Sequence, residues 1–302
     1  SNQIQYLETI GRGVQGQVIT CHVSDCPLIP QNVVVVAKRF KEGDKHKRRA
    51  DAMQEVLMGG LNHRGVIGAL AITIQDPPRV LYDHYNGGDL AGFMDRCERW
   101  HKKGGKSQVD AAQMKFVSEK KLVLENRLGI ALSLLNTMKF LHLHHRVHCD
   151  FHFGNILLHF EYKNDIARRV FVGICDFGMS KYLSQCALKE HHFFPVPNDE
   201  VDKYRNDFPQ LAPELVGPQP APYSTRTNVY SMGNILESLL GADDNWDGMT
   251  KTTRYLGIGW SAQFDAPRLC QIISDMMSTD PAKRMDCAYW MNRMYQAFPH
   301  CY

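Results

Sequence analysis

Asp150, Asn155 and Asp176 are the residues whose types and spacing could do chemistry. They stand in His148-Cys149-Asp150-Phe151-His152-Phe153-Gly154-Asn155, which runs into the apolar Ile156-Leu157-Leu158, and in Asp176-Phe177-Gly178. A carboxylate at 150 is placed to orient an attacking hydroxyl and accept its proton, while the oxygens of Asn155 and Asp176 are hard ligands for a Mg²⁺ that carries phosphates. That is equipment for phosphoryl transfer. Asp150 and Asn155 bracket one tight loop, and a short hairpin of two apolar strands would return Asp176 to the side of Asn155. A His-x-Asp with an Asn five residues on is common in polar loops, so the reading depends on the elements around it.

The 302 residues, 44% hydrophobic and 22% charged, have an ordinary globular composition, enough for one large domain or two small lobes. The 35 basic and 32 acidic side chains leave a formal charge of +3, so no nucleic-acid partner is expected and no anionic membrane is demanded. No apolar run approaches the roughly 18 residues of a membrane span. Nine cysteines occur without a CxxC pair or a regular framework, which suits a reducing compartment, the cytoplasm or the cytoplasmic face of a membrane. The sequence shows neither an initiator Met nor a secretory leader. Ser1-Asn2 reads as a cleavage scar on an excised domain, with native termini and flanking domains expected beyond it.

Three elements near the start would serve phosphates. Ile10-Gly11-Arg12-Gly13-Val14-Gln15-Gly16-Gln17-Val18 lies between strand-like residues, Ile4 to Ile10 and Val18 to Val23. Its glycines let a turn bring backbone N–H groups close to phosphates. The β-branched, alternating continuation Gln17-Val18-Ile19-Thr20-Cys21 favours a hairpin over the helix of a dinucleotide-binding unit. Next, Val33-Val34-Val35-Val36-Ala37-Lys38-Arg39-Phe40 is a buried strand, and a lysine at its end needs a carboxylate partner. The segment Arg48 to Leu61 has helical spacing at Met53, Val56, Leu57 and Leu61, and it offers Glu55, with Asp51 as competitor. The basic run from Lys41 to Arg49 reads as a solvated loop. Further on, Val80-Leu81-Tyr82 ends a strand, and Asp83-His84-Tyr85-Asn86-Gly87-Gly88-Asp89-Leu90 turns into a helix, as a linker between two lobes would.

With these features in this order, the sequence resembles the eukaryotic protein kinase family over nearly its whole length. Two later landmarks sharpen the resemblance: Ala212-Pro213-Glu214, closing the segment opened by Asp176-Phe177-Gly178, and Asp280-Pro281-Ala282-Lys283-Arg284, whose arginine pairs with that glutamate in kinases. The resemblance implies an α+β, two-lobed fold in a single domain, residues 1–302. An antiparallel sheet with one helix would form the N-lobe (1–82), residues 83–86 the hinge, and a mainly helical C-lobe would follow (87–302). It implies ATP and Mg as cofactors and a protein substrate. Gly11, Gly13 and Gly16 would cover the phosphates, Lys38 paired with Glu55 would hold them, and Asn155 and Asp176 would bind the metal. Asp150 would orient the acceptor hydroxyl, with His152 counted among the catalytic residues at a position near the γ-phosphate. Val18, Ala37 and Cys175, with the backbones of Asp83 and Tyr85, would line the nucleotide site, with Tyr82 as a gatekeeper narrowing its rear. The long segment Met114 to His145 is expected to hold a core helix, including Leu122, Leu128, Ile130, Leu134, Leu135, Met138 and Leu141, preceded by an enlarged polar connection from Trp100 to Lys120.

Departures from the family pattern bear on regulation and specificity. Cys149 replaces an arginine that reads a phosphate on the activation segment, so ordering without loop phosphorylation is expected, although Ser180, Tyr182, Ser184 and Tyr204 offer hydroxyls. Asn228 replaces an aspartate that anchors the catalytic loop from beneath. His152 stands where Ser/Thr kinases carry a lysine. Phe208-Pro209 is similar to a tyrosine-kinase feature but lies too close to Ala212, so Ser/Thr specificity is favoured over Tyr. The His-x-Asp-x-His-x-Gly-Asn loop also resembles small-molecule kinases of the aminoglycoside and choline phosphotransferase type, and Cys149 with Asn228 would suit a pseudokinase scaffold. The cluster His142, His144, His145, His148 and His152 could bind zinc, but its members are read instead as loop residues and as cations at a helix end.

Overall fold

The computed structural model describes residues 4–12, 16–24, 26–30, 32–41, 44–73, 76–102, 120–164, 166–188, 193–240 and 266–298. Its N-terminal part is one antiparallel sheet of β1 (Ile4–Arg12), β2 (Gly16–Val23), β3 (Val34–Phe40), β4 (Ala71–Ile72) and β5 (Arg79–Asp83), in the order β1-β2-β3-β5-β4. The valine run makes β3 the middle strand, because β-branched side chains fit a position covered on both faces. One face packs Val35 and Ala37 against Cys21, Val23, Ile29 and Leu81. The other face packs Phe40 and Val80 against Ala52 of the helix α1 (Lys45–Gly59). Asp44 caps that helix, its side chain accepting from Lys47 N at 2.8 Å.

The buried face of α1 differs from the one expected. Ala52, Glu55, Met58 and Gly59 are buried, whereas Met53 and Leu57 point to solvent at 47% and 57% exposure. Pairing of Glu55 with Lys38 sets the rotation of the helix, and the apolar residues at i and i+4 then fall outside. Asp51 lies on the exposed side.

The remainder is mainly helical: α2 (Leu90–Lys102), α3 (Lys120–Leu143), α4 (Leu183–Cys186), α5 (Val201–Asp207), α6 (Thr225–Leu240), α7 (Ala266–Met276) and α8 (Cys287–Ala297). Leu134, Leu135 and Met138 of α3 meet Met232, Ile235 and Leu236 of α6 and Trp290 and Met294 of α8 in the main core. Of the core positions expected in this stretch, Leu128, Ile130, Leu134, Leu135, Met138 and Leu141 are buried, and the side chain of Leu122 lies outside the described residues. So does the polar connection over 103–119.

Antiparallel strand pairings tie this region to the loops. β6 (Gly88–Asp89), β8 (Ile156–Lys163) and β9 (Ile166–Ile174) form a second sheet, and β7 (Arg146–Val147) pairs with β10 (Lys181–Tyr182). The β8–β9 hairpin is longer than the short one expected, its outer end being polar and exposed from Glu161 to Asn164.

Candidate active site

The β8–β9 hairpin opens on the pair Ile156–Ile174, so the residues just outside it face each other, and Cys175 N donates to Asn155 O at 3.0 Å. This brings the loop at 150–155 beside Asp176. The loop is braced from within, Asn155 Nδ2 donating to Asp150 O at 2.8 Å and to Asp150 Oδ2 at 3.3 Å. With Nδ2 so engaged, the oxygen Oδ1 is the atom Asn155 can offer a cation. From beneath, Asn228 Oδ1 accepts from His148 N at 3.0 Å. Asn228 is buried, and an amide oxygen suffices for that bond without a charge.

Asp176 has φ 59, in the left-handed region that Asp tolerates better than most residues. Phe177 behind it is buried, its ring 5.1 Å from that of His148 and in contact with the Gly59 position at the end of α1. The aspartate therefore turns out of the core and into a cleft of about 580 Å³ between the sheet and the helical region. Lys38 Nζ lies 2.7 Å from Glu55 Oε2 and 2.9 Å from Asp176 Oδ1. Burial alone would lower the Lys38 pKa, but the two carboxylates outweigh it and hold it above the usual lysine value. Burial pushes the Glu55 carboxyl up, against the pull of the Lys38 ammonium.

Burial would also raise Asp150, yet its pKa lies below the ordinary value because His152, His148 and Asn155 stabilise the carboxylate. His152 Nε2 is 3.6 Å from Asp150 Oδ1, while its Nδ1 accepts from Gly154 N at 3.1 Å. Contact with Asp150 raises the His152 pKa against the effect of burial.

The cleft wall includes Gly11, Val18, Lys38, Glu55, Asp83, Tyr85, Asn155, Cys175 and Asp176. Burial, reinforced by Asp176, pushes the Cys175 thiol pKa up, so it stays a neutral wall group. Ala37 does not belong to this wall. Successive residues of a strand face opposite ways, so Val36 and Lys38 look into the cleft while Ala37 sits fully buried on the other face. Gly16 is set back as well, for a Cβ there would fall 2.0 Å from Arg39 O, so its bareness serves the close approach of β2 to β3. Gly13 lies outside the described residues.

Sequence reasoning missed the apolar wall residues Ile10, Val36, Ile67 and Leu157. Strand alternation could have found Val36 and Leu157, the latter opposite in facing to the buried Ile156 and Leu158. Ile67 had no local signal, being carried in by hydrogen bonds between Gly65–Ile67 and Ile174.

Two expectations about hydroxyls and histidines change. Ser180 is buried and its hydroxyl donates to His148 O at 3.0 Å, which makes it a brace and not an accessible acceptor. His142 does not serve the helix end as a cation, because burial pulls its pKa down to about 4. Its Nε2 lies 3.4 Å from Asn228 Oδ1. Among the described residues, no group of three or more His, Cys, Asp or Glu side chains could hold a metal ion by themselves.

A family model described as protein tyrosine and serine/threonine kinase matches residues 4–294. The chain is 24% identical over 298 residues to the serine/threonine-protein kinase CTR1 of Arabidopsis thaliana, a match covering 94% of the chain and 30% of that protein. It is 26% identical to the serine/threonine/tyrosine-protein kinase HT1 of the same plant, over 82% of the chain and 54% of the relative. To the tyrosine-protein kinase transmembrane receptor Ror of Drosophila melanogaster it is 27% identical, over 59% of the chain and 22% of the receptor. The chain thus spans about half or less of the length of these curated relatives. No helix among its described residues is long and apolar enough to cross a membrane.

Proposed function

The chain belongs to the protein tyrosine and serine/threonine kinase family, and from that premise we propose that it transfers the γ-phosphoryl group of ATP to a protein hydroxyl, Ser/Thr in preference to Tyr. The reading rests above all on Lys38, whose ammonium joins Glu55 and Asp176 on the wall of a cleft that is also lined by Asn155, itself bonded to Asp150. In this reading the domain is the whole span 1–302, with lobes at 1–82 and 87–302 and a hinge at 83–86. It works in the cytoplasm or on the cytoplasmic face of a membrane.

Each residue's part follows from its chemistry. Lys38 holds nucleotide phosphates as a point charge, and Glu55 keeps the ammonium in place. Gly11 and Gly13 cover the phosphates, with Gly16 setting the strand behind them. The backbones of Asp83 and Tyr85 meet the adenine edge, between walls formed by Val18, Val36 and Leu157. The oxygens of Asp176 and Asn155 fit Mg²⁺, which when bound neutralises phosphate charge. Asp150, kept ionised by its neighbours, orients the acceptor hydroxyl and takes up its proton, and His152 steadies that carboxylate.

Intact-mass spectrometry after incubation with Mg²⁺, ATP and a generic protein substrate tests the proposal beside Asp150→Asn. The wild type is expected to add phosphate to Ser or Thr. Asp150→Asn should keep nucleotide binding and lose transfer by about 10²–10⁴-fold, the usual worth of a positioned base. Turnover of the variant near the wild-type level would sink the assignment. An ATP-dependent rise in melting temperature without any transfer would point to a nucleotide-binding scaffold, or to a kinase acting on a small molecule.

A further inference from the structure

Glu55 is held by more than its lysine. Tyr82, on β5, donates its phenolic O–H to Glu55 Oε1 at 2.5 Å, while Oε2 takes Lys38 Nζ at 2.7 Å. The two partners come from neighbouring strands of one sheet, where Val36 pairs with Tyr82 and Lys38 with Val80. Their side chains reach α1 from the same side, and the Tyr82 ring packs on a cluster formed with Phe40, Ala52 and Val80.

The last torsion of a glutamate is broad, so a carboxylate tied by one oxygen can turn about its bond and let a lysine partner drift. With each oxygen bound to a different strand, Glu55 is fixed in rotation as well as in position. A bond between a neutral hydroxyl and a carboxylate is short and about twice as strong as one between neutral groups, which fits the 2.5 Å separation. Burial, and after it the Glu55 carboxylate, push the phenol pKa far above its ordinary value, so Tyr82 remains a donor at any working pH.

We propose that Tyr82 is a positioning residue of the phosphoryl-transfer site, acting through Glu55 to hold Lys38 against the cleft and its Asp176 partner. The proposal rests on the function assigned above. Its reach is three contacts, Tyr82 to Glu55 to Lys38 to Asp176, at 2.5, 2.7 and 2.9 Å. Phenylalanine at 82 would keep the ring in its cluster and delete only the donor, leaving one buried carboxylate oxygen unpaired.

The test is a double-mutant cycle of Tyr82→Phe and Glu55→Ala, read in kcat/KM for ATP, in Mg·ATP affinity by calorimetry and in melting temperature. Tyr82→Phe alone should lower kcat/KM for ATP by roughly tenfold or more. Added to Glu55→Ala it should cost less than twofold, because the carboxylate it positions is gone. If Glu55→Ala does not fold, Glu55→Leu, which fills the space, takes its place. A purely structural tyrosine would lower the melting temperature and leave kcat/KM of the folded enzyme unchanged. Equal losses in both backgrounds, or no loss in either, would overturn the proposal. If the wild type binds Mg·ATP and transfers nothing, the cycle read in affinity still decides, with non-additive losses supporting Tyr82 while the transferase reading fails. Absence of nucleotide binding by the wild type would remove both.

Discussion

Arg284→Met should be among the most damaging single substitutions outside the cleft. Arg284 is fully buried, and its Nη1 and Nη2 form a fork on the two oxygens of Glu214 at 2.6 and 2.8 Å. Its Nε donates to Ser278 O at 2.7 Å, Nη1 also reaches Arg226 O at 3.3 Å, and the guanidinium lies 4.9 Å from the centre of the Tyr230 ring. Methionine fills much of the volume but supplies no donor, so the Glu214 carboxylate, 15% exposed, is left without its cation. Breaking a buried pair in this way costs about 3–5 kcal/mol, mainly for the orphaned charge. Against a total stability of roughly 5–15 kcal/mol that is a large share, equivalent to a drop of roughly 6–20 °C in Tm. Adding Glu214→Gln should recover about 1 kcal/mol or more, since the amide no longer needs a counterion. Thermal unfolding of the wild type, both single variants and the double variant measures these quantities. A double variant whose loss equals the sum of the single losses would refute the reasoning, because it would mean that the two side chains do not act as a pair.

Acid should weaken the fold through His142. With a folded pKa of about 4 against 6.5 as the ordinary value, the unfolded chain binds a proton between these pH values that the folded chain refuses. Its share of stability is complete above pH 6.5 and is lost as pH falls towards 4, on the order of 2–3 kcal/mol after allowance for partial exposure. Chemical denaturation at several pH values should give a flatter acid limb for His142→Leu, and identical limbs would contradict this account. The glycines of the first hairpin should separate cleanly. Gly16→Ala forces a Cβ to within 2.0 Å of Arg39 O and should cost about 1–3 kcal/mol of stability, as overpacking does. Gly11→Ala meets only Val18 at 3.5 Å and should leave Tm near the wild-type value while weakening ATP affinity. The opposite ranking in a melting experiment would argue against this packing.

The parts legible in the sequence were those in which chemistry and chain proximity coincide. Asp150 and Asn155 are legible from their residue types and spacing in one loop, Asn228 only through the resemblance to the kinase pattern, and the hairpin that returns Asp176 is written as two apolar runs. Facing was harder. Alternation along β3 places Val36, and not Ala37, beside Lys38 in the cleft. The helical spacing of Met53 and Leu57 suggested a buried stripe, but a hydrophobic pattern cannot weigh one buried ion pair against two apolar side chains, and here the pair prevails. The Tyr82–Glu55 bond lay beyond local reasoning because its partners, 27 residues apart, are joined only when β5 and α1 pack.

Cys149 shows how a departure from a family pattern can be read once the fold is known. Where the pattern keeps an arginine, Cys149 is buried with Val147, Cys186, Ala212, Leu215 and Tyr223 in one small cluster. Cys186 belongs to the segment that begins at Asp176, and Ala212 to its close, so the cluster fastens both ends of that segment to the loop at 148–155. An arginine at 149 would be a buried cation in need of an anion, which is what makes such a segment dependent on an added phosphate. A thiol makes no such demand. The same stretch is also held by Ser180 Oγ on His148 O and by Gln54 Nε2 on Ser180 O at 2.7 Å, contacts that carry no net charge. Apolar burial and neutral hydrogen bonds hold these contacts without a phosphate, while Tyr182 and Ser184 are exposed and the Tyr182 ring lies 5.5 Å from the Arg146 guanidinium. The cleft has a different dependence: α1 carries Glu55 and presents Met53 and Leu57 to solvent, and its displacement would break the Tyr82–Glu55–Lys38 chain.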